Sequence, residues 1–123
     1  MESAESTLVS SEEALEHARA WHEKGATLLL SISSGPGKRD LCDKLWGRLS
    51  YVDDDGASLS FVRQVIEPDP QSSEMTFVDG EVRFRIWLEG ASFSMHYAPQ
   101  NSMTISRGPY RCVLTVDRAS AFG

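Results

Sequence analysis

From residue 82 to residue 88 the chain reads Val-Arg-Phe-Arg-Ile-Trp-Leu, so that Val82, Phe84, Ile86 and Leu88 alternate with Arg83, Arg85 and Trp87. Successive side chains of an extended strand point to opposite faces, and this order therefore builds a strand with one apolar face towards a core and one cationic, aromatic face away from it. The same period recurs over most of the chain after residue 25. Leu28, Leu30 and Ile32 share a face, and residues 45–52 and 58–66 pair through Asp53, Asp54, Asp55 and Gly56, whose Asp-Gly step permits the positive φ of a tight hairpin. Residues 75–78 and 81–89 pair across Asp79-Gly80. Phe93, Met95 and Tyr97 then alternate with Ser92, Ser94 and His96, and strands over 103–106 and 110–118 follow. Residues 34–43 and 67–73, which hold the intervening prolines, read as loops.

Short connections between alternating strands favour antiparallel neighbours, because a parallel pair needs a crossover of about a dozen residues. Seven or eight such strands exceed what one flat, half-exposed sheet usually holds. The expected fold is mainly β: an antiparallel meander closed into a small barrel or a two-layer sandwich, with one N-terminal helix. The alternative is an α+β arrangement, a helix packed on a curved antiparallel sheet.

The helix is set by its ends. Ser10 and Glu13 form a capping box, Glu12, Glu13 and Glu16 suit the positive end of the dipole, Lys24 suits the negative end, and Gly25 supplies a left-handed stop. The predicted span is 11–24, with Ala14, Ala18 and Trp21 on a narrow apolar stripe. Residues 1–9 read as a flexible tail, and residues 10–123 as a single domain.

A helix leading into a strand, followed by Gly47-Arg48-Leu49-Ser50-Tyr51-Val52-Asp53 and a hairpin, resembles the opening of small Sm-like or SH3-like barrels. The resemblance covers about a third of the chain and implies architecture alone. The Asp and Asn pattern by which Sm proteins hold uridines is absent, and no site residue is carried over. A helix on a strongly curved sheet is instead similar to cystatin-like folds.

The formal charge of −6 opposes general nucleic-acid binding, which draws its affinity from clustered Lys and Arg. The sign nevertheless reverses along the chain: beyond residue 81, five arginines face only Glu89 and Asp117. No apolar run approaches the roughly 20 residues of a membrane helix. With Cys42 and Cys112 in no metal-ligand pattern and no signal-peptide pattern at the N-terminus, the expected location is cytoplasmic.

Several constellations prompt a chemical test. Gly35-Pro36-Gly37-Lys38 follows a strand as a phosphate loop does, but Ile32 and Arg39 stand where that motif needs Gly and Ser or Thr. Asp53, Asp54 and Asp55 lack the spacing of a calcium loop and suit a turn. His17 and His22 are about 140° apart round a helix and do not converge on a metal. His96 projects away from the apolar face. Cys112 falls on the Tyr110, Leu114 and Val116 face as a buried thiol, and Cys42 lies beside Lys38, Arg39 and Lys44. No nucleophile, base and acid fall together, so neither an enzyme nor a cofactor is expected.

What remains is the second face of the sheet. Trp46, Arg48, Arg83, Arg85, Trp87 and Arg111 all sit opposite the expected core. Arg beside an aromatic ring suits protein contacts and also grips anions. The expected function is a non-catalytic protein-binding or self-assembly module using this face for a protein partner or homo-oligomer. The alternative is a β-barrel domain that binds a small anionic ligand or nucleic acid. The plainer reading of the same residues is that the tryptophans pack and the arginines pair with nearby acids.

Overall fold

In the computed structural model, residues 7–34, 39–53, 55–72, 74–97 and 101–117 are described, with 34 and 39–43 by their backbone alone. The helix α1, Ser11–Lys24, begins where its cap dictates: the Glu13 amide donates to Ser10 Oγ at 3.1 Å. It ends at Gly25, whose φ of 63° lets its own amide donate back to the His22 carbonyl. Ala14, Ala18 and Trp21 are its buried residues.

Eight strands make one antiparallel sheet: β1 (Thr7–Val9), β2 (Leu28–Ser34), β3 (Arg39–Val52), β4 (Ser58–Pro68), β5 (Met75–Trp87), β6 (Ser92–His96), β7 (Ser102–Arg107) and β8 (Tyr110–Val116). Their spatial order is β1-β6-β7-β8-β2-β3-β4-β5. Two runs of hairpin-connected strands, β2 to β5 and β6 to β8, are joined where β8 pairs with β2. The chain therefore departs from the single expected meander at one point, β5 to β6, where sequence neighbours lie at opposite ends of the sheet. Nor does the sheet close into a barrel, since β1 and β5 remain its two edges. A two-layer sandwich or a helix on a curved sheet fits this arrangement, and a closed Sm-like or SH3-like barrel does not.

Three boundaries differ from the sequence reading, each because strand pairing overrides a local signal. Thr7–Val9, at the end of the expected tail, pairs with β6. Residues 39–43, expected in a loop, extend β3 alongside β2, and the extension is accommodated by Lys44 at a φ of 47° within an irregular stretch of the β2 and β3 pairing. Asp79-Gly80 does not turn the chain. β5 runs straight through it, paired with β4 from Met75 to Trp87, and a bulge absorbs residues 80–82 opposite Arg63.

Bulges increase local twist and bend the strands that carry them. They occur here in all three pairings of the β2 to β5 half, and the sheet curls around one core. Leu28, Leu30, Leu49, Leu59, Phe61, Met95, Met103 and Leu114 are its fully buried large side chains on the concave face, and α1 adds Ala14, Ala18 and Trp21. Each large apolar side chain removed from water contributes about 1.5–3 kcal/mol. Phe61 obtains its place from Gly47 on the neighbouring strand: a Cβ there would sit 2.4 Å from the Phe61 ring and 2.2 Å from the Val62 carbonyl oxygen.

Candidate functional site

The curl brings together strands far apart in sheet order. Ile86 and Trp87 of β5 line a cleft with Ile105 and Arg107 of β7, Tyr110, Arg111 and Cys112 of β8, and Ile32 of β2, with Arg85 beside them. Its volume is about 170 Å³. Strand alternation explains the lining. Ile32, Cys112 and Ile105 lie in one row across β2, β8 and β7, and all face the core side. Ile86 faces them from the far arm of the curl. Arg107, Tyr110 and Arg111 come from the β7 to β8 hairpin, where the chain leaves the core and polar side chains rim the opening.

The site's electrostatics are one-sided. Three arginines, Arg85, Arg107 and Arg111, are among the residues that line the cleft and none of the lining residues is acidic. Arg107 is held in place: its Nε donates to the Glu89 carbonyl at 2.9 Å, which leaves its terminal nitrogens for another acceptor. Arg85 lies 5.3 Å from the Trp87 ring centroid, a cation over an aromatic face. Trp87 and Tyr110 are each about half exposed at the mouth, at 49% and 53%. An apolar floor below a cationic, aromatic rim suits a ligand with an apolar body and an anionic head.

The six residues singled out on the outer face are not gathered into one site. Arg85, Trp87 and Arg111 reach the cleft. Trp46 and Arg48 are engaged elsewhere. The Arg48 guanidinium donates to Asp79 through Nε at 3.0 Å and through a terminal nitrogen at 2.5 Å, reaching over β4. Asp79 also accepts from Gln64 at 3.2 Å. The hydrogen bonds from Arg48 hold the Asp79 carboxyl below its ordinary range, and Arg48 itself is raised by the same partner. The Trp46 ring packs 6.3 Å from Phe77. Between these contacts Val62, although on the outer face, is wholly buried, flanked in register by Arg48 and Arg83. Trp46 therefore packs beside a residue of its own sheet while remaining 38% exposed, and Arg48 pairs with Asp79. Arg83 lines a separate, shallow depression with Ser50, Tyr51, Ser60, Phe84 and Arg85.

Sequence reasoning missed Arg107 and Tyr110 as site residues. Both carry the expected chemistry, but only the curl of the sheet places them opposite Trp87, and no local pattern reports that curl.

The other constellations resolve into local structure. Asp53 Oδ2 accepts from Ser58 Oγ at 2.6 Å and Asp55 Oδ1 from the Ala57 amide at 3.0 Å, so both serve the hairpin turn. His22 Nε2 lies 3.2 Å from the Ser50 carbonyl, while His17 faces Tyr97, with ring centroids 5.8 Å apart. The two histidines diverge. The Tyr97 hydroxyl donates to Glu13 at 3.3 Å, and desolvation together with the Glu13 charge raises it above the ordinary phenol range. No group of three or more metal-ligating side chains forms among the described residues. The loop at 35–38, Asp54 and the Cys42 side chain lie outside the described residues. Cys42 and Cys112 both register opposite Ile32, on either side of β2, which separates their backbones by about two strand spacings, roughly 9.6 Å. A disulfide needs closer Cα atoms than that. No helix among the described residues is long and apolar enough to cross a membrane.

No protein-family model, no curated protein and no solved structure matches this chain.

Proposed function

We propose that this protein is a non-catalytic binding domain for a small amphipathic anion, a carboxylate carrying an aliphatic chain or a single ring, held in the cleft between β5 and the β7 to β8 hairpin. The observation that carries this reading is the meeting of three arginines at an apolar cleft whose lining holds no acid. Arg presents a planar fork of donors that matches a carboxylate bidentately, and a partly desolvated rim strengthens such bonds relative to open water. The floor of Ile32, Ile86, Ile105 and Cys112 would take the apolar body. A volume near 170 Å³ is below the roughly 300–1,000 Å³ of pockets for drug-sized ligands, which favours a short chain or one ring.

The test is calorimetric titration of the purified protein with octanoate, phenylacetate, 1-octanol and inorganic phosphate. Saturable binding of a carboxylate, at least about tenfold tighter than the alcohol, is expected, since a charge-assisted hydrogen bond contributes about 1.5–3 kcal/mol. Arg111→Gln and Arg85→Gln should each weaken it to a similar degree. Absence of saturable binding by both carboxylates, or binding indifferent to both substitutions, would overturn the proposal.

A further inference from the structure

The longest edge of the sheet carries a pattern that complements itself. β5 has β4 on one side and no strand on the other, and a strand edge left in this way presents unpaired backbone groups that can template pairing with another chain. At alternate positions along it lie Phe77, Asp79, Glu81, Arg83, Arg85 and Trp87, in the order aromatic, acid, acid, base, base, aromatic. We infer that β5 is a homodimer interface: two copies pair antiparallel along this edge about a two-fold axis at Val82.

Antiparallel partners across such an axis must lie on the same face, so the axis falls on a residue and not between two. With Val82 at the centre, Glu81 meets Arg83 of the second copy, Asp79 meets Arg85, and Phe77 meets Trp87, each contact made twice. On the other face Val82 meets itself, Gly80 meets Phe84 and Val78 meets Ile86, all without charge. Moving the axis one residue towards the N-terminus sets Glu81 against Glu81, and one residue towards the C-terminus sets Arg83 against Arg83. Cross-strand opposite charges stabilise and like charges directly opposed destabilise, so the alternatives are disfavoured and a single register is specified.

The free molecule is consistent with this. Glu81 and Arg83 are exposed and make no ion pair among the described residues. Val82 is 41% exposed, and Phe77 and Trp87 at the two ends of the pattern are 40% and 49% exposed. Asp79 is already bonded to Arg48 and Gln64, but each carboxylate oxygen has more than one acceptor site and so can take a further donor.

Sedimentation velocity of the purified chain over a concentration series tests the interface. A concentration-dependent dimer is expected. Arg83→Glu and Glu81→Arg, made separately, each place like charges opposite one another twice and should weaken the dimer by about tenfold or more. The two made together restore opposite charges and should return the dimer to within about threefold of the original. Neither residue lines the cleft, whereas Arg85 and Trp87 belong to both surfaces, so octanoate binding is titrated at a protein concentration where sedimentation shows monomer and then reports separately. A wild-type chain that stays monomeric to about 1 mM, a dimer indifferent to both single substitutions, or a double variant no stronger than the singles would overturn the inference.

Discussion

The Nε of Arg107 on β7 donates to the main-chain carbonyl of Glu89, just beyond the end of β5, at 2.9 Å. Four strands separate β5 from β7 in the order of the sheet, and this bond spans the mouth of the curl that they form. It also orients one of the three arginines of the cleft. Arg107→Gln should therefore have two measurable effects: a loss of about 0.5–1.5 kcal/mol in urea unfolding, typical of one hydrogen bond, and weaker binding of octanoate. A stability loss with unchanged affinity would make Arg107 a brace alone.

Gly47 is the least replaceable glycine described. Its missing Cβ is the space occupied by the Phe61 ring and the Val62 carbonyl, at 2.4 and 2.2 Å from where that atom would sit. Overpacking of a core costs about 1–3 kcal/mol, and because one of the clashing groups is backbone, Gly47→Ala should fall at the upper end of that range. Thermal and urea unfolding measure it. Gly90→Ala, where a Cβ would meet nothing within 4 Å but φ is 73°, should cost about 1 kcal/mol, as only the left-handed backbone is penalised.

Much of this arrangement is legible in the residues and part of it is not. The capping box at Ser10, the stop at Gly25 and the alternation from Arg83 to Trp87 are local signals that fold as written, whereas Val82, expected on the core face, falls in the bulge and is 41% exposed. Asp79-Gly80 is a good turn by composition, yet it lies inside a strand, since the pairing of residues 75–79 with 64–68 outweighs a two-residue preference. Lys44 carries no mark of the positive φ it adopts. The cleft was half visible: Arg85, Trp87 and Arg111 stand out by pattern, whereas Arg107 and Tyr110 join them only through curvature, a property of several strands together.

Leu30 is buried completely at the centre of the sheet, flanked by Leu45 and Leu114 in register. Leu30→Ala should lower stability by about 2–5 kcal/mol, combining lost transfer energy with the cavity left behind. A loss under about 1 kcal/mol would indicate a core that collapses freely around the gap.

The Arg48 and Asp79 pair gives stability a defined dependence on pH. Asp79 is held low in the folded chain by hydrogen bonds from Arg48, so its folded pKa lies below its unfolded value of about 3.9. Its contribution is accordingly present above that value and lost as pH falls through the folded pKa. Side-chain exposures of 31% and 39% mean that water screens the pair, and it should be worth less than about 1 kcal/mol. The deficit of Asp79→Asn relative to the parent, read by urea unfolding, should be greatest at neutral pH, shrink towards zero on strong acidification, and diminish in high salt. A deficit that grew with acid would contradict the assignment.

The helix packs on β3 and on β6, two strands with three others between them, and buries Ala14, Ala18 and Trp21. Geometrically it is the chord to the arc that the strands describe, as a string is to a bow. Enlarging Ala18 would lengthen the chord and slacken the arc, parting β5 from the β7 to β8 hairpin at a distance from the residue changed. The width of the opening that the arginines line is thus set, in part, by how closely a helix that never touches it approaches the strands.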